Sequence, residues 1–406
     1  MDDTTHRVNA CLIGVSGFAD FHYRGLLRQV ERGRVSIIGA TVINQEEERE
    51  KCAILRGLGC RVFEDYREML SAVGRATDLC VIPTGIQLHA DMTCDALAAG
   101  ANVLVEKPAA ATIEDVRRMQ AAETEANRFV AVGFQTMYAP ETVWMKRTIL
   151  EGRIGRVRII KCLGMWPRPQ SYYRRNPWAG SLRIGSSWVL DSPFNNALAH
   201  QLNMMCFLAG TEQTESAELF RVRAELYRAR AIEGPDTACL RLTTTEGIPI
   251  LFLVTHSSES KRNPEIVVEG SEGSLHWTFE EAWVEDLDGA REVVECQKDE
   301  RLHDTMMDAI LRRLRDGQTF ICGLRHAAVH TQAVNAAHKA SHIHPIDPAF
   351  VRRVGVDGSA LTIVDGLDEA MEQALEEEKL LSELPISWAR PGKPIELTRS
   401  RESAKV

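Results

Sequence analysis

The sequence predicts an α/β protein in which a doubly wound parallel sheet is followed by an α+β domain with an open, mainly antiparallel sheet. The first 150 or so residues alternate short runs that are apolar on both faces with segments of helical spacing. Such a pattern is typical of a parallel sheet covered by helices on both sides. From about residue 157 onward, strands follow one another across polar turns without regular helices between them, which indicates antiparallel pairing.

The elements of the first part follow from hydrophobic pattern and helix-end signals. Apolar runs predict strands at residues 8–13, 35–43, 78–82, 102–105 and 129–132. Helical spacing predicts helices at residues 46–58, 88–99 and 112–127. Gly59 and Gly100 stand where helix C-terminal glycines are expected, and Thr112 stands at a helix N-cap position.

The second part begins with a predicted helix at residues 138–150. Strands are predicted at residues 239–243, 249–254, 265–269 and 274–277, and helices at residues 304–315, 327–340 and 367–381. We therefore divide the chain into a parallel-sheet domain at residues 1–137, an α+β domain at residues 138–344 and a C-terminal extension at residues 345–406. We expect the extension to pack on the body or on a neighbouring subunit, with residues 398–406 loose.

Composition excludes several classes of function. The 406 residues carry a formal net charge of -9, which argues against a nucleic-acid partner. The 10 cysteines include no CxxC pair, as expected in a reducing compartment. The first residues lack the features of a signal peptide, and no apolar run reaches the length of a membrane span. We expect a cytoplasmic protein without a membrane partner. His326 and His330 have one-turn spacing but no obvious third ligand, so we expect no metal site.

A small-residue loop follows the first strand directly. It contains Gly14, Ser16, Gly17 and Phe18, and Ala19 comes next. A dinucleotide loop needs small residues because the chain turns tightly, its backbone approaches the pyrophosphate, and the following helix packs close to the strand. The helix N-terminus then offers N–H groups to the phosphates. An ordinary strand-to-helix turn is the alternative, but the βαβ context favours a Rossmann domain.

The residue expected at the adenine ribose is Asn44, just after the second strand. An acidic residue at this point would favour NAD by bonding the ribose hydroxyls. Asparagine can form hydrogen bonds but carries no charge. The cofactor is therefore NAD or NADP, with a slight preference for NAD because no arginine follows immediately.

Glu106-Lys107-Pro108 resembles the Glu-Lys-Pro signature of the Gfo/Idh/MocA oxidoreductases. The similarity extends over about residues 7–340, and its other motif residues are Pro83, Thr84, His89 and Gln135. The resemblance implies an NAD- or NADP-binding Rossmann domain, a sugar-like or inositol-like substrate, and a homodimer or homotetramer formed through the open sheet. It also implies that Lys107 faces the nicotinamide, while Glu106, Pro83, Thr84, His89 and Gln135 help to hold the cofactor.

The second predicted catalytic residue is His200, which matches the family's histidine ten residues before Gly210. The family pattern has aspartates where this sequence has Asn196 and Asn203, so the imidazole would receive less help in accepting a proton. A buried structural histidine is the alternative for His200. Asn195 and Asn196 are candidate hydrogen-bonding groups for a sugar or polyol.

A loop rich in aromatic and basic residues, 172–180, precedes this helix. Aromatic rings can stack on a sugar face, and arginine can bind hydroxyl or carboxylate groups. Arg174 and Trp178 are the preferred candidates for substrate binding, and a well-packed surface loop is the alternative reading.

The sequence thus predicts an NAD(P)-dependent oxidoreductase that transfers a hydride to or from a sugar, polyol or related small molecule. One alternative is a glycoside-cleaving enzyme that binds NAD tightly and recycles it. Another is a non-catalytic dinucleotide-binding regulator. Lys107 argues against the regulator, because a sensor has no chemical need for a lysine beside the nicotinamide.

Overall fold

The computed structural model describes residues 7–397. The chain forms two compact units: residues up to Tyr138 join with Asp299–Ala328, and Ala139–Lys298 join with the residues from Val329 onward. This division differs from the sequence-based boundaries, which placed 299–328 in the second domain and gave 345–406 a region of its own. Residues 398–406, for which a loose end was predicted, lie outside the described residues.

The first unit contains a six-stranded sheet in which every neighbouring pair is parallel. The strand order is β3-β2-β1-β4-β5-β6. The strands are β1 Val8–Ile13, β2 Val35–Thr41, β3 Arg61–Phe63, β4 Leu79–Ile82, β5 Asn102–Val105 and β6 Val130–Val132. Because the order reverses between β1 and β4, the carboxyl ends of these two strands border the crevice where ligands bind in such folds.

Helices cover this sheet, as its wholly buried central strands require. They are α1 Ala19–Glu31, α2 Arg49–Gly57, α3 Tyr66–Val73, α4 His89–Ala98 and α5 Ile113–Ala126, with α8 Asp299–Asp316 returning from later in the chain. The predicted caps are present: the Thr112 side chain accepts a hydrogen bond from the Asp115 N–H, and Gly59 and Gly100 have positive φ. The sequence pattern had assigned no element to the region of β3 and α3.

The second unit is built on a ten-stranded mixed sheet. Its order is β16-β15-β14-β13-β7-β12-β11-β10-β17, with β20 also paired to β10. Among the described strands of this second sheet, only the β7–β12 and β10–β17 pairs are parallel. The strands are β7 Val157–Met165, β10 Leu219–Arg228, β11 Thr237–Thr244, β12 Pro249–Thr255, β13 Arg262–Gly270, β14 Gly273–Trp277, β15 Glu281–Asp286, β16 Arg291–Glu295, β17 Ile343–Pro345 and β20 Ile395–Glu396. Two hairpins stand apart: β8 Arg183–Ile184 with β9 Ser187–Trp188, and β18 Val351–Val354 with β19 Leu361–Val364.

The chain covers one face of this sheet with its own C-terminal segment. The helices outside the first unit are α6 Pro140–Leu150, α7 Ala199–Leu208 and α10 Leu367–Glu376, and α9 Leu324–Ala340 contains the passage between the units. Side chains of β7, β10, β11 and β12 form one apolar cluster with residues 346–389, including Met371 and Leu381. That face is therefore covered by the chain itself, while the sheet is open, as the sequence predicted.

All 10 cysteines lie among the described residues, and none forms a disulfide. Nine of them are buried, so they act as small apolar side chains. Within residues 7–397, no helix combines the length and apolar character needed to cross a bilayer.

Candidate cofactor and active site

The residues predicted to bind the cofactor gather at the carboxyl edge of the parallel sheet. The small-residue loop follows β1, Asn44 follows β2, Thr84 follows β4, Lys107 follows β5 and Gln135 follows β6. Because these strands are parallel neighbours, the segments after them leave the same edge of the sheet. A single edge thus presents all five segments.

The loop after β1 has the backbone that its glycines predict. Gly14 has φ of 97° and Gly17 has φ of 59°, a region that other residues rarely adopt. A Cβ at Gly14 would lie 3.7 Å from the Ala19 side chain, so α1 begins close against the loop. No side chain caps the first turn of α1, and Phe18 is 57% exposed. The helix N-terminus is therefore arranged to receive an anion.

Lys51 ties this loop to the second βα unit, a role that the sequence analysis missed. Its ammonium donates to the Val15 carbonyl at 2.7 Å and pairs with Asp20 and Glu48 at 2.9 and 3.0 Å. Hydrogen bonds from the Ser16 hydroxyl and from Lys51 hold the pKa of Glu48 below its usual value.

Asn44 lies beside this network. Its side chain is 3.4 Å from the Ser16 hydroxyl and donates to the Glu47 carboxylate at 2.9 Å. The Glu47 carboxylate therefore lies next to Asn44, the residue predicted to bind the adenine ribose.

Glu106 is buried beneath the segment that carries Lys107. One carboxylate oxygen lies 2.8 Å from Nε2 of His22, and the other accepts the Lys107 backbone N–H at 3.0 Å. Burial alone would raise the pKa of Glu106, but the hydrogen bond and charge of His22 and the charge of Lys107 lower it to about 2. Gly133 leaves room for this carboxylate, since a Cβ there would lie 2.6 Å from it. The carboxylate is therefore ionised and fixes the backbone at Lys107.

His22 and His303 extend this contact into a buried chain of polar groups. Nε2 of His303, on α8, lies 3.4 Å from Nδ1 of His22. Burial, followed by the charge of His22, lowers the pKa of His303 to about 3, so this imidazole is neutral. Gly25 makes room for the ring, because a Cβ there would overlap it. The two histidines and Glu106 thus form one buried chain of polar contacts, and neither histidine was among the residues predicted from the sequence.

His89 lies under the loops and joins two of them. The ring is fully buried, with Nδ1 at 2.8 Å from the Pro108 carbonyl and Nε2 at 3.1 Å from the Thr84 carbonyl. Burial lowers its pKa, so the ring is neutral at pH 7 and donates to one carbonyl at a time. Its observed role is to connect the segments that follow β4 and β5.

In the second unit, Asn195 and Asn196 lie in the turn that leads into α7. His200 lies in the first turn of that helix, after a π-helical turn at Pro193–Ala197. The Asn196 amide donates to the Asp191 carboxylate at 2.9 Å, a partner that the sequence analysis had not assigned. The Asn195 amide donates to the carbonyls of Val189 and Leu190 at 3.2 and 3.1 Å, so this nitrogen holds the preceding loop.

The loop at residues 172–180 is ordered by stacking. The guanidinium of Arg175 lies 3.6 Å from the Tyr172 ring centre and 5.4 Å from that of Trp178. Arg174, the arginine predicted to bind substrate, is exposed, and so is Arg175. The arginine that packs on the aromatic rings is therefore the next one along the chain.

The histidines with one-turn spacing have contacts of their own. Nδ1 of His326 accepts the Gly323 N–H at 3.0 Å, and Nε2 of His330 lies 3.0 Å from the Phe194 carbonyl. Across residues 7–397, no group of three or more His, Cys, Asp or Glu side chains is arranged to hold a metal ion.

Two family models match the chain. Residues 8–134 match an oxidoreductase family model described as an NAD-binding Rossmann fold, and residues 142–276 match the GFO/IDH/MocA C-terminal domain. Inositol 2-dehydrogenase of Klebsiella pneumoniae subsp. pneumoniae is 29% identical over 198 residues, 48% of this chain and 53% of that protein. Inositol 2-dehydrogenase of Burkholderia lata is 25% identical over 356 residues, 84% of this chain and 98% of that protein. The match to the first of these relatives thus spans about half of its length.

Solved structures share the fold. The WlbA dehydrogenase from Bordetella pertussis, in complex with NADH and UDP-GlcNAcA, matches with a TM-score of 0.67 and 23% identity, covering 82% of this chain and 96% of that one. A levoglucosan dehydrogenase in complex with NADH and levoglucosan matches with a TM-score of 0.69 and 17% identity, covering 82% and 97%.

Proposed function

The chain belongs to the Gfo/Idh/MocA oxidoreductase family, and from this premise we propose that it transfers a hydride between a nicotinamide dinucleotide and a sugar or polyol. The observation that carries the proposal is the arrangement at the carboxyl edge of the parallel sheet. There a glycine loop with positive φ follows β1, and a lysine whose backbone is fixed by a buried carboxylate follows β5. This order suits a pyrophosphate over the loop and a nicotinamide near Lys107.

The cofactor, when bound, supplies the hydride chemistry, so the protein must hold the substrate and manage one proton. We assign Lys107 as the group that hydrogen-bonds the reacting oxygen and passes its proton. His200, in the second unit, is the second candidate for proton transfer. Asn196, with Asp191 behind it, is the candidate hydrogen-bonding group for a substrate hydroxyl, because the carboxylate orients the amide.

NAD is the proposed cofactor over NADP. Asn44 is bonded to Glu47, so a carboxylate stands beside the predicted ribose position. A 2′-phosphate placed there would be repelled by that charge. The relatives that are named inositol 2-dehydrogenase support a polyol or sugar as the substrate.

We also propose a homodimer or homotetramer and a cytoplasmic location. Residues 346–389 cover one face of β7 and β10–β12, so β13–β16 are the part of the sheet left for a second copy. Ten cysteines that form no disulfide suit a reducing compartment. Light scattering of the purified protein measures the subunit number, and a monomer would contradict this part of the proposal.

The test of the function is a titration with NADH and NADPH, followed by a panel of inositols, sugars and polyols with NAD. The proposal requires saturable dinucleotide binding and accumulation of reduced cofactor with at least one neutral or charged polyol. Turnover without net reduced cofactor would favour the glycoside-cleaving alternative. Absence of dinucleotide binding would overturn the proposal.

A further inference from the structure

Three arginines gather at the edge of the second unit's sheet where β7 and β12 end. These strands are parallel neighbours, and the Arg168 N–H donates to the His256 carbonyl at 3.1 Å just beyond them. Nη2 of Arg230, which follows β10, donates to the carbonyls of Arg168 and His256 at 2.6 and 3.3 Å. Arg175 reaches the same place from the 172–180 loop. We refer to Arg168, Arg175, Arg230 and His256 as the arginine cluster.

Arg230 is buried without a compensating ion pair. The residue is 5% exposed, and its Nε and Nη1 atoms have no hydrogen-bond partner within the described part of the chain. The nearby buried carboxylate, Asp236, accepts the N–H groups of Ala229 and Arg230 at 2.9 and 3.0 Å and forms no ion pair with the guanidinium. Leaving guanidinium donors buried and unpaired is costly, so an anion that paired with them would be favoured.

The other two guanidinium groups rest on aromatic rings and not on carboxylates. Arg168 lies 4.8 Å from the Tyr172 ring centre, and Arg175 lies 3.6 Å from the same ring. The Nε atom of Arg168 has no hydrogen-bond partner among the described residues, and Nη1 of Arg175 donates to the Tyr172 carbonyl at 2.6 Å. Stacking fixes the planar group and leaves its edge free to donate hydrogen bonds.

His256 shows that the three positive charges act at one place. It is 2% exposed, its Nδ1 lies 3.0 Å from the Tyr173 hydroxyl, and its Nε2 has no partner among the described residues. Burial lowers the pKa of His256 well below its usual value, and the charges of Arg168, Arg230 and Arg175 lower it further. The ring is therefore neutral, and a bound anion could accept from Nε2 or receive support from the surrounding guanidinium groups.

The cluster is continuous with the candidate substrate residues of the same unit. The Asp191 carboxylate accepts the Gly180 N–H at 2.6 Å and the Asn196 amide at 2.9 Å. A Cβ at Gly180 would lie 3.0 Å from the Tyr173 ring, so this turn packs directly against the tyrosine. A molecule that hydrogen-bonds to Asn196 would thus lie next to the 172–180 loop, which also carries Arg175 of the arginine cluster.

We propose that the arginine cluster binds an anionic group, a carboxylate or a phosphate, carried by the sugar or polyol substrate. The inference rests on the proposed function and specifies its substrate class. Guanidinium groups bind planar carboxylates and phosphates through paired charge-assisted hydrogen bonds, and the tyrosines and Trp178 offer faces for the sugar ring. A neutral polyol would leave the buried donors of Arg230 unpaired.

The test compares three sugars that differ only in the group at C6: glucose, glucuronate and glucose 6-phosphate. Each is measured by calorimetric binding to the NADH-loaded protein and by turnover with NAD. We expect at least about tenfold tighter binding of one anionic sugar over glucose, and its identity separates carboxylate from phosphate. Arg230→Met and Arg168→Met should each lower the affinity for the anionic sugar, relative to glucose, by about tenfold or more, while the affinity for NADH is unchanged. Arg183→Met, which removes an exposed arginine that stacks on the Trp188 ring, is the matched control and should retain the preference.

The outcomes separate the two proposals. The proposed anion site is wrong if glucose binds as tightly as glucuronate and glucose 6-phosphate, or if folded Arg168→Met and Arg230→Met proteins keep the preference. Neither result would contradict the proposed oxidoreductase function. Failure of NADH to bind would instead contradict the proposed function. Because Arg230→Met removes a buried side chain, thermal unfolding of each variant is measured first. Arg168 is less buried than Arg230, so Arg168→Met supplies the second, milder change.

Discussion

The buried carboxylate under Lys107 is the feature whose removal we can predict most quantitatively. Glu106→Gln keeps the shape of the side chain but removes its charge. The amide can accept from only one of the two donors that face it, His22 and the Lys107 N–H. The pKa of Glu106 is about 2, compared with 4.5 for an ordinary glutamate. At about 1.4 kcal/mol per pKa unit, the ionised form is stabilised by about 3 kcal/mol, within the range for breaking a buried pair.

The sign of the pH dependence follows from that depressed pKa. The stabilisation is present above the ordinary pKa of 4.5 and is lost as the pH falls through about 2. We therefore expect Glu106→Gln to lower the free energy of unfolding by about 3 kcal/mol at pH 7, with the difference from wild type shrinking below pH 4.5.

Urea unfolding can assign this effect to the first unit, which contains Glu106, because fluorescence and circular dichroism report on the two units differently. All 7 tryptophans lie in the second unit, so their fluorescence follows that unit, while circular dichroism follows both. Glu123→Gln is the matched control: burial raises the pKa of Glu123, and glutamine can still accept the Val130 N–H. We expect the control to cost little. A Glu106→Gln protein as stable as wild type at pH 7, or no less stable than the control, would refute the reasoning.

Three further changes test the site. Lys107→Ala should lower turnover by about 10²–10⁴-fold with dinucleotide affinity nearly intact. Steady-state kinetics and an NADH titration measure the two quantities, and an unchanged rate would contradict the role of Lys107. Asn44→Asp should weaken NADP binding by about tenfold relative to NAD through repulsion of the 2′-phosphate; equal loss of both cofactors in the titration would speak against this placement. His89→Ala removes the link between Thr84 and Pro108 and should cost about 1–3 kcal/mol, so an unchanged thermal midpoint would contradict its bridging role.

The parallel sheet is the part of the fold that the sequence predicted best. The predicted strands 8–13 and 102–105 coincide with β1 and β5, because wholly buried strands are continuous apolar runs that are easy to recognise. The strand β3 was missed because Arg61–Phe63 is a three-residue edge strand whose side chains are only partly buried. The return of 299–328 to the first unit was missed because helical spacing does not say which sheet a helix covers.

The sequence predicted the grouping of those candidate residues that follow directly after strands of the parallel sheet. Gly14, Gly17 and Lys107 follow strand ends directly, so their neighbourhood at one edge was foreseeable from the strand order. His22 and His303 are 281 residues apart in the sequence, and no local pattern connects them. One signal was available for His22: it shares the buried face of α1 with Ala19, Tyr23 and Leu26. A polar residue on an apolar helix face requires a partner.

The roles of individual polar side chains were the least predictable. Glu106, Asn195 and His89 are predicted to contact ligands, and the structure shows that each also fixes a backbone segment, which the sequence did not indicate. Arg230 gave no signal in the sequence, since its burial arises from the meeting of chain segments after β7, β10 and β12. Hydrogen-bond partners of this kind depend on tertiary packing and cannot be read from residue type and spacing.

The most direct test of the account compares two glycines in an NADH titration followed by nucleotide fluorescence. Gly17 and Gly59 both have positive φ, and among the described residues nothing lies within 4 Å of a Cβ built on either, so Gly17→Ala and Gly59→Ala should each cost about 1 kcal/mol of stability. If the pyrophosphate sits over the loop after β1, Gly17→Ala should weaken NADH binding by about tenfold or more, and Gly59→Ala should bind as wild type does. Equal binding by both variants, or no binding by the wild-type protein, would contradict a nucleotide seated at this loop.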